Sequence, residues 1–360
     1  MPARLLALFA LLHAVAIVAP PMTWPLWKLR FGAIEGCLLG VAVGCVAIVV
    51  TKERWVAAAA GTSALICLLP ALRAVPVYLA EGRSFSLVEW VTGGSTPDAK
   101  VERGVALGPT VTADIWRGAG EGPRPAVVVV HGGSWRSGAP GEVPHVSAAL
   151  AAEGYTVVDV GYRLAGDAPF PAGIADVRCA LVALAADPAR FGIDPTRLAL
   201  LGRSAGGQMA LVAAYADATL APSCAGEVPA VRGVVSLYGP TDMTWAHDHP
   251  YVPDVVDGVA AIELYLAGTP ASAPDRYRAA TPQSWVRPGL PPTLLLHGEA
   301  ERCVRPENAT RLRAALVLAG VPVRAVLVPM ADHGFDVRPG GFGEQLARGL
   351  VLDFLRDVMR

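Results

Sequence analysis

The stretch Gly202-Arg203-Ser204-Ala205-Gly206-Gly207 stands between an apolar run, Leu198 to Leu201, and an apolar helical pattern, Ala205 to Tyr215. It is a G-x-S-x-G motif at a strand-to-helix junction, where small residues on both sides let the backbone close into a tight turn. Such a turn leaves the Ser204 hydroxyl exposed at a helix N-terminus. We therefore favour a serine nucleophile over an ordinary helix-capping serine.

Outward from this motif, short apolar runs alternate with helical patterns. The run Ala126 to Val130 contains four valines and fits a strand covered on both faces. The alternation predicts an α/β fold, with a mostly parallel eight-stranded sheet and helices on both faces. The predicted strands are 104–107, 112–116, 126–130, 156–160, 198–201, 231–237, 293–296 and 323–328, and the predicted helices are 144–153, 171–189, 205–215, 306–318 and 342–359.

A second loop at a strand end reads His131-Gly132-Gly133-Ser134-Trp135. Consecutive glycines leave backbone N–H groups unobstructed, as a developing oxyanion requires. We assign the oxyanion hole to the N–H groups of Gly132, Gly133 and Ala205. Trp135 and Asp242 are candidate pocket residues, with a packed loop aromatic and a helix cap or turn as the respective alternatives.

A serine nucleophile also needs a base and an acid that orients the base. Serine, then acid, then histidine is the chain order that this architecture requires, so His333 is the predicted base. Glu301 is the predicted acid, and Glu299 and Asp332 are the alternatives. Asp332 is adjacent to His333, so its side chain tends to point away from the ring.

From about residue 101 to residue 360 the chain resembles α/β-hydrolases of the hormone-sensitive-lipase-like esterase branch. Six motifs carry the resemblance: His131 to Trp135, Gly161 to Ala165, Phe170 to Asp176, Gly202 to Gly207, His297 to Val304, and His333 to Phe335. The resemblance implies a serine carboxylesterase or lipase that uses no metal or cofactor. The chain departs from it at Glu301, where the family usually has Asp, and at Ser134, where many members have a third glycine.

Residues 1–75 form a separate region. Of the 61 charged side chains in the whole chain, only six basic and two acidic ones lie in residues 1–80. The long runs without charge in this region predict about three transmembrane helices, near 5–22, 32–51 and 55–72. A cleavable signal peptide is the alternative for the first run. A linker, 76–103, then leads to the catalytic domain, 104–360.

Membrane orientation and redox compartment are weakly constrained. Basic residues lie in nearly equal numbers on the two sides, so the positive-inside rule does not orient the chain. We expect a multi-pass protein of a bacterial cell membrane, with the catalytic domain on the extracytoplasmic side. Cys179, Cys224 and Cys303 allow one disulfide, but no spacing demands it.

About 50 residues separate the strand that ends at Leu237 from the strand that begins at Thr293, and residues 241–290 are predicted to form a lid. Within the lid, His247-Asp248-His249 offers two histidines at i and i+2 without a third ligand. We therefore predict loop or lid residues there and no metal site.

These features predict a membrane-anchored serine hydrolase of carboxylic esters. Anchoring at a membrane favours a lipid or envelope-derived ester, and a soluble short ester is the alternative. An amidase or peptidase of the same fold, similar to kynurenine formamidase or prolyl oligopeptidase, is one alternative, and a non-catalytic membrane receptor or scaffold is another. No run of Lys and Arg could follow a phosphate backbone, so nucleic-acid binding is excluded.

Overall fold

The computed structural model describes residues 2–94, 96–120 and 122–360. Its first five helices precede the sheet. They are α1 (Pro2–Val18), α2 (Trp24–Glu35), α3 (Cys37–Val50), α4 (Arg54–Ala80) and α5 (Leu87–Thr92).

The eight predicted strands form one sheet. They are β1 (Val101–Ala106), β2 (Thr112–Trp116), β3 (Arg124–Val130), β4 (Thr156–Gly161), β5 (Ile193–Arg203), β6 (Gly233–Leu237), β7 (Thr293–Gly298) and β8 (Val323–Val328). Their spatial order is β1-β2-β4-β3-β5-β6-β7-β8. β2 runs antiparallel to β1 and β4, and all later pairs are parallel. This confirms the predicted α/β-hydrolase architecture.

Helices cover both faces of the sheet. They are α6 (Pro144–Ala152), α7 (Ala172–Ala186), α8 (Pro188–Phe191), α9 (Ala205–Tyr215), α10 (Met243–Asp248), α11 (Gly258–Leu266), α12 (Pro274–Ala280), α13 (Glu307–Leu318) and α14 (Phe342–Val358), with a 3₁₀ turn at Pro282–Trp285. Along β3 the side chains of Val128 and Val130 enter one apolar core, while those of Val127 and Val129 enter the other. A continuous valine run results because both faces of this strand are buried.

The end of α4 belongs to the second core. Ala74 and Tyr78 are buried there among residues of β3, β5 and α14. The Tyr78 hydroxyl donates a hydrogen bond of 2.6 Å to the carbonyl of Phe342. The N-terminal helices are therefore packed against the sheet domain.

The N-terminal helices differ from the three predicted spans. Among the described residues, Arg54–Ala80 is the one helix long and apolar enough to cross a membrane, and it extends beyond the predicted 55–72. The predicted 32–51 segment is interrupted at Gly36, where the chain bends by 71° between α2 and α3. These two helices are long and apolar enough to cross a membrane only when they are taken together. The first helix has 17 residues and ends at Val18 instead of residue 22. A count of three spans is not supported.

The insertion between β6 and β7 contains α10, α11, α12 and the 3₁₀ turn. These elements lie within the segment 241–290 that is predicted to form a lid. The predicted linker, 76–103, is more structured than expected, because α4 continues to Ala80 and α5 lies within it.

Candidate active site

The turn between β5 and α9 holds Ser204 in a constrained conformation. Ser204 has φ 53° and ψ −123°, in the left-handed half of conformational space that L-residues rarely adopt. A Cβ atom on Gly202 would lie 2.1 Å from the carbonyl oxygen of Gly206. Gly202 is thus required by the closeness of the two arms of the turn. Gly206 is required by the closeness of β3, because a Cβ atom there would lie 2.2 Å from the carbonyl oxygen of Val130.

A chain of hydrogen bonds begins at this serine. The Ser204 Oγ atom lies 2.9 Å from Nε2 of His333, and Nδ1 of His333 lies 3.0 Å from Oε2 of Glu301. His333 follows β8 and Glu301 follows β7, so neighbouring parallel strands deliver both side chains to one edge of the sheet. The structure brings together all three side chains predicted for the triad.

The buried Glu301 carboxylate is held by backbone donors. The N–H groups of Cys303 and Val304 donate to its Oε1 atom, at 2.7 and 3.1 Å. Burial disfavours the carboxylate anion, but His333 and these donors outweigh it and lower the pKa of Glu301. Glu301 is therefore anionic at neutral pH, as the orienting acid must be.

The charge of Glu301 also acts on His333. Burial disfavours the imidazolium, but the Glu301 carboxylate outweighs that effect and raises the pKa of His333. A histidine so placed is a stronger proton acceptor than a free imidazole.

The two alternative acids have other partners. Glu299 is bound at 2.7 Å by Arg73 of α4. Asp332 forms a buried ion pair with Arg30 of α2. Neither carboxylate is placed to orient His333 through Nδ1, which is occupied by Glu301.

The glycine loop after β3 lies directly beside the serine. A Cβ atom on Gly132 would be 3.3 Å from the Cβ of Ser204. Gly133 has φ +109°, and a Cβ atom there would lie 2.1 Å from the carbonyl oxygen of Ser137, so no other residue fits. Ala205 is the first residue of α9, where N–H groups lack partners within the helix. The three predicted oxyanion donors thus belong to backbone segments that meet at Ser204.

A cavity of about 680 Å³ opens above this serine. Its lining includes Trp135 of the glycine loop, Trp24 of α2, and many lid residues, of which the apolar ones are Trp245, Ala246, Pro250, Tyr251, Val255, Val256, Val259, Ala261 and Ile262. Trp135 is held in place by its indole N–H, which donates to Gln208 at 2.9 Å, and by stacking on Tyr265 at 4.7 Å. It is both a packed aromatic and part of the cavity wall.

Asp242 lies outside the lining of this cavity. Its carboxylate caps α10 by accepting from the N–H of Trp245 at 3.0 Å and binds Arg311 at 2.9 Å. The capping alternative describes it better than a substrate contact, because both carboxylate oxygens are engaged away from Ser204.

One group within the described ranges has metal-ligand spacing. It consists of Glu301, Cys303 and His333. Burial and the Glu301 carboxylate raise the pKa of the Cys303 thiol far above neutrality, so it is a protonated thiol and a poor ligand. In the lid, His247 is paired with the carboxylates of Asp248, at 2.9 Å, and Glu263, at 3.1 Å.

Two residues of the site, Trp24 and Arg30, are not predicted by the sequence motifs. Trp24 and Arg30 belong to α2, yet Trp24 lines the cavity and Arg30 binds the residue next to His333. No sequence motif marks either residue, and Arg30 is 302 positions from its partner. Their only signal was a position at the edge of an apolar run, which also fits a membrane interface.

Comparison with known proteins assigns the chain to a family. The BD-FAE family model matches residues 114–316, which is more than half of the chain. The chain belongs to the BD-FAE family. The matched part of this BD-FAE protein includes Ser204, the glycine loop and Glu301, while His333 lies beyond it.

Several curated relatives of this BD-FAE protein are esterases. Esterase LipC of Mycobacterium tuberculosis is 30% identical over 70% of this chain and 63% of its own length. Esterase LipQ of the same organism is 29% identical over 67% of this chain and 58% of its own length. The chain thus spans about three fifths of the length of these relatives.

Solved structures show the same fold. A truncated carbohydrate esterase from gut microbiota superposes with a TM-score of 0.65 and 21% identity, over 74% of this chain and 98% of its own. The propionate-bound esterase Est2 of Thermogutta terrifontis gives a TM-score of 0.61 and 22% identity, over 74% and 97%. At these identities the BD-FAE protein shares the fold with them.

Proposed function

We propose that this chain is a serine hydrolase of carboxylic esters. The observation that carries the proposal is the continuous hydrogen-bond chain from Ser204 through His333 to Glu301 at the floor of a largely apolar cavity. The curated esterase relatives support ester substrates over amides.

The proposed reaction has two halves. His333 accepts the hydroxyl proton as Ser204 Oγ attacks the ester carbonyl, and Glu301 stabilises the imidazolium that forms. The N–H groups of Gly132, Gly133 and Ala205 bind the oxyanion, and His333 returns the proton to the leaving alcohol. Water then attacks the acyl-enzyme with the same base, which releases the acid and regenerates Ser204.

The direct test is labelling of the full chain with a fluorophosphonate, together with hydrolysis of 4-nitrophenyl butyrate. Ser204→Ala should abolish labelling and reduce kcat by about 10⁶. Ser272→Ala, in a surface turn of the lid, is the matched control and should behave as wild type. Hydrolysis retained by Ser204→Ala would disprove the assignment, and absence of labelling in the wild type would favour a non-catalytic protein.

We also propose that the N-terminal helices attach the enzyme to a membrane. Many of their large apolar side chains are exposed, including Leu5, Leu8, Leu12, Val49, Trp55, Leu65 and Leu79. Such a surface is costly in water and suits lipid. In α3, Gly40 and Gly44 lie so close to α4 that a Cβ atom would be 2.6 Å from Cys67 Sγ or 2.9 Å from Ala64 Cβ. Close packing through small residues four positions apart is typical of membrane helices.

We propose that the catalytic domain is extracytoplasmic, and the support comes from cysteine chemistry. Cys179 of α7 and Cys224, in the segment after α9, form a disulfide. Disulfides persist outside the reducing cytoplasm, which supports an extracytoplasmic catalytic domain. Protease added to intact cells should therefore cleave this domain, and protection of the domain in intact cells would contradict the proposed side.

The cavity favours a substrate with an apolar part. Trp24, Trp245 and Tyr251 line it, and Trp24 belongs to the segment that we place at the membrane. We therefore propose a lipid or envelope-derived ester as the substrate class. A panel from acetyl to palmitoyl esters, with matched amides, should give higher kcat/KM for longer acyl esters in the full chain in lipid nanodiscs. A preference for acetyl esters or amides would contradict it.

A further inference from the structure

One face of α2 is turned toward the active site. Trp24, Trp27 and Arg30 are spaced by three residues, which places them on the same side of the helix. Trp24 stacks on Trp27 at 4.5 Å and lines the cavity, while Trp27 and Arg30 are buried. The helix therefore reaches the site at two separate points, the cavity wall and the loop that carries His333.

Arg30 contacts two catalytic loops at once. Its guanidinium forms an ion pair with Oδ2 of Asp332 and donates to the carbonyl oxygen of Ala300 at 3.2 Å. Ala300 immediately precedes Glu301, and Asp332 immediately precedes His333. A single side chain from the N-terminal segment thus joins the acid loop to the histidine loop.

Asp332 transmits this contact to the backbone. Its Oδ1 atom accepts from the N–H of His333 at 2.8 Å and from the N–H of Arg302 at 2.9 Å. The side chains of Arg30 and Asp332 are 9% and 0% exposed, so the pair is removed from solvent. Removal of one partner from such a pair leaves an uncompensated buried charge.

We infer that Arg30 is a positioning residue of the active site, which acts on His333 and Glu301 through Asp332 and the Ala300 carbonyl. Arg30 is not among the residues that line the cavity. It fixes the spacing between the two loops and compensates the negative charge beside the catalytic imidazole. The inference rests on the proposed triad chemistry.

Besides Arg30 of α2, the titratable groups around His333 come from four strands and the loops that follow them. Glu301 and His297 belong to β7 and its loop, Asp332 and Asp336 to the loop after β8, Arg203 to β5, and Tyr238 to the end of β6. Asp336 is already paired with Arg203 and accepts from Tyr238. Burial and Glu301 raise the pKa of Asp332, and Arg30 opposes that rise. Arg30 is therefore the counter-charge of Asp332.

Loss of the guanidinium should make this cluster bind a proton at higher pH, since two carboxylates would then face one imidazole without compensation. In Arg30→Gln, measured on the full chain in detergent with 4-nitrophenyl butyrate, we expect kcat to fall about tenfold with KM within twofold. We expect the acid limb of kcat/KM to move up by about one pH unit. A purely structural role would lower activity without moving that limb.

Two further variants separate charge from folding. Arg30→Lys keeps the charge, so its acid limb should stay at the wild-type position with a smaller loss of kcat. Arg30→Gln combined with Asp332→Asn removes both charges, so its acid limb should return to the wild-type position even if kcat does not. Fluorophosphonate titration counts the folded sites of each variant, and the double variant still tests the charge if Arg30→Gln alone does not fold.

Arg83→Gln is the matched control. Arg83 also ties the N-terminal part to the catalytic domain, by binding Asp353 and the carbonyl of Gly349 in α14, but it contacts neither catalytic loop. Its pH profile should be that of the wild type. Equal profiles for Arg30→Gln, Arg83→Gln and wild type, in an enzyme that the fluorophosphonate labels, would overturn the role of Arg30 alone. An unlabelled wild type would overturn the proposed function as well.

Discussion

At the residue scale, Glu301 is the member of the proposed triad with the most distinctive environment. The family that the chain resembles usually has aspartate there, and the longer glutamate predicted as the acid reaches Nδ1 of His333 at 3.0 Å. Its other oxygen is held by the N–H groups of Cys303 and Val304. These donors fix the extra methylene group in place, so the acid loop need not approach the ring as closely.

Glu301→Gln should lower kcat by about 10³ to 10⁴, because the amide neither holds the required tautomer nor stabilises the imidazolium. The loss of the carboxylate should also lower the pKa of His333. Activity requires neutral His333, so the acid limb of the residual kcat/KM should move to lower pH. Rate measurements from pH 4 to pH 9 test both expectations.

Asp332→Asn is the comparison for Glu301→Gln. Asparagine keeps the shape of the aspartate side chain, and that side chain does not contact Nδ1 of His333. Asp332→Asn should therefore cost far less activity than Glu301→Gln. Abolition of activity by Asp332→Asn with retention by Glu301→Gln would show that the acid has been misassigned.

The site residues that lie in local sequence motifs could be predicted from the sequence alone. Ser204, His333 and the glycines of the oxyanion loop follow strand ends in recognisable motifs, and parallel strands bring such ends together. Arg30 and Trp24 could not be found in this way. Their roles depend on how α2 packs against a loop some 300 residues away, which no local pattern encodes.

At the element scale, the close contact between α3 and α4 depends on glycine residues in α3, which have no side chain. A Cβ atom on Gly44 would lie 2.9 Å from both the carbonyl oxygen of Ala60 and the Cβ of Ala64. Because one contact is to backbone, the neighbour cannot yield by a rotamer change. The two helices would have to separate.

Gly44→Ala should therefore destabilise the full chain by about 1–3 kcal/mol through overpacking. Gly61→Ala in α4 is the matched control, since a Cβ atom there meets only Ile48 at 3.7 Å. It should be neutral or stabilising by up to about 1 kcal/mol, because alanine favours helix over glycine. Thermal unfolding in detergent measures both, and equal midpoints for the two variants would contradict close packing at Gly44.

The sheet was predictable at this scale because buried parallel strands have continuous apolar runs. The helix α9 has the predicted bounds, Ala205–Tyr215. The strand β5 begins at Ile193, earlier than the predicted Leu198, because the mostly polar residues 194–197 interrupt the apolar pattern. The N-terminal helices were less predictable. Hydropathy treats 32–51 as one apolar run, whereas the chain bends by 71° at Gly36.

At the scale of the whole molecule, the disulfide joins two segments that pack in the same apolar core of the sheet domain. Cys179 lies in α7 and Cys224 lies 45 residues later, beyond α9. Closing a loop of this length in the unfolded chain is worth about 4 kcal/mol on the loop-entropy estimate.

Replacement of Cys179 and Cys224 together by serine should lower the thermal midpoint by roughly 10 °C. Cys45→Ser, at an exposed free cysteine in α3, should leave the midpoint unchanged. Added dithiothreitol should lower the midpoint of the wild type toward that of the double variant. Titration of thiols in the unfolded wild type without reductant should find four free thiols. A count of six would show that the disulfide is absent, and would remove the support for an extracytoplasmic location.

The ion pair between Arg30 and Asp332 also constrains how this protein can diverge. A descendant that lost its first 80 codons would keep a buried aspartate beside His333 without its counter-ion. Such a lineage is expected to replace that aspartate with a neutral residue, or to acquire a new cation from elsewhere in the chain. Shortened and full-length homologues should therefore differ systematically at position 332.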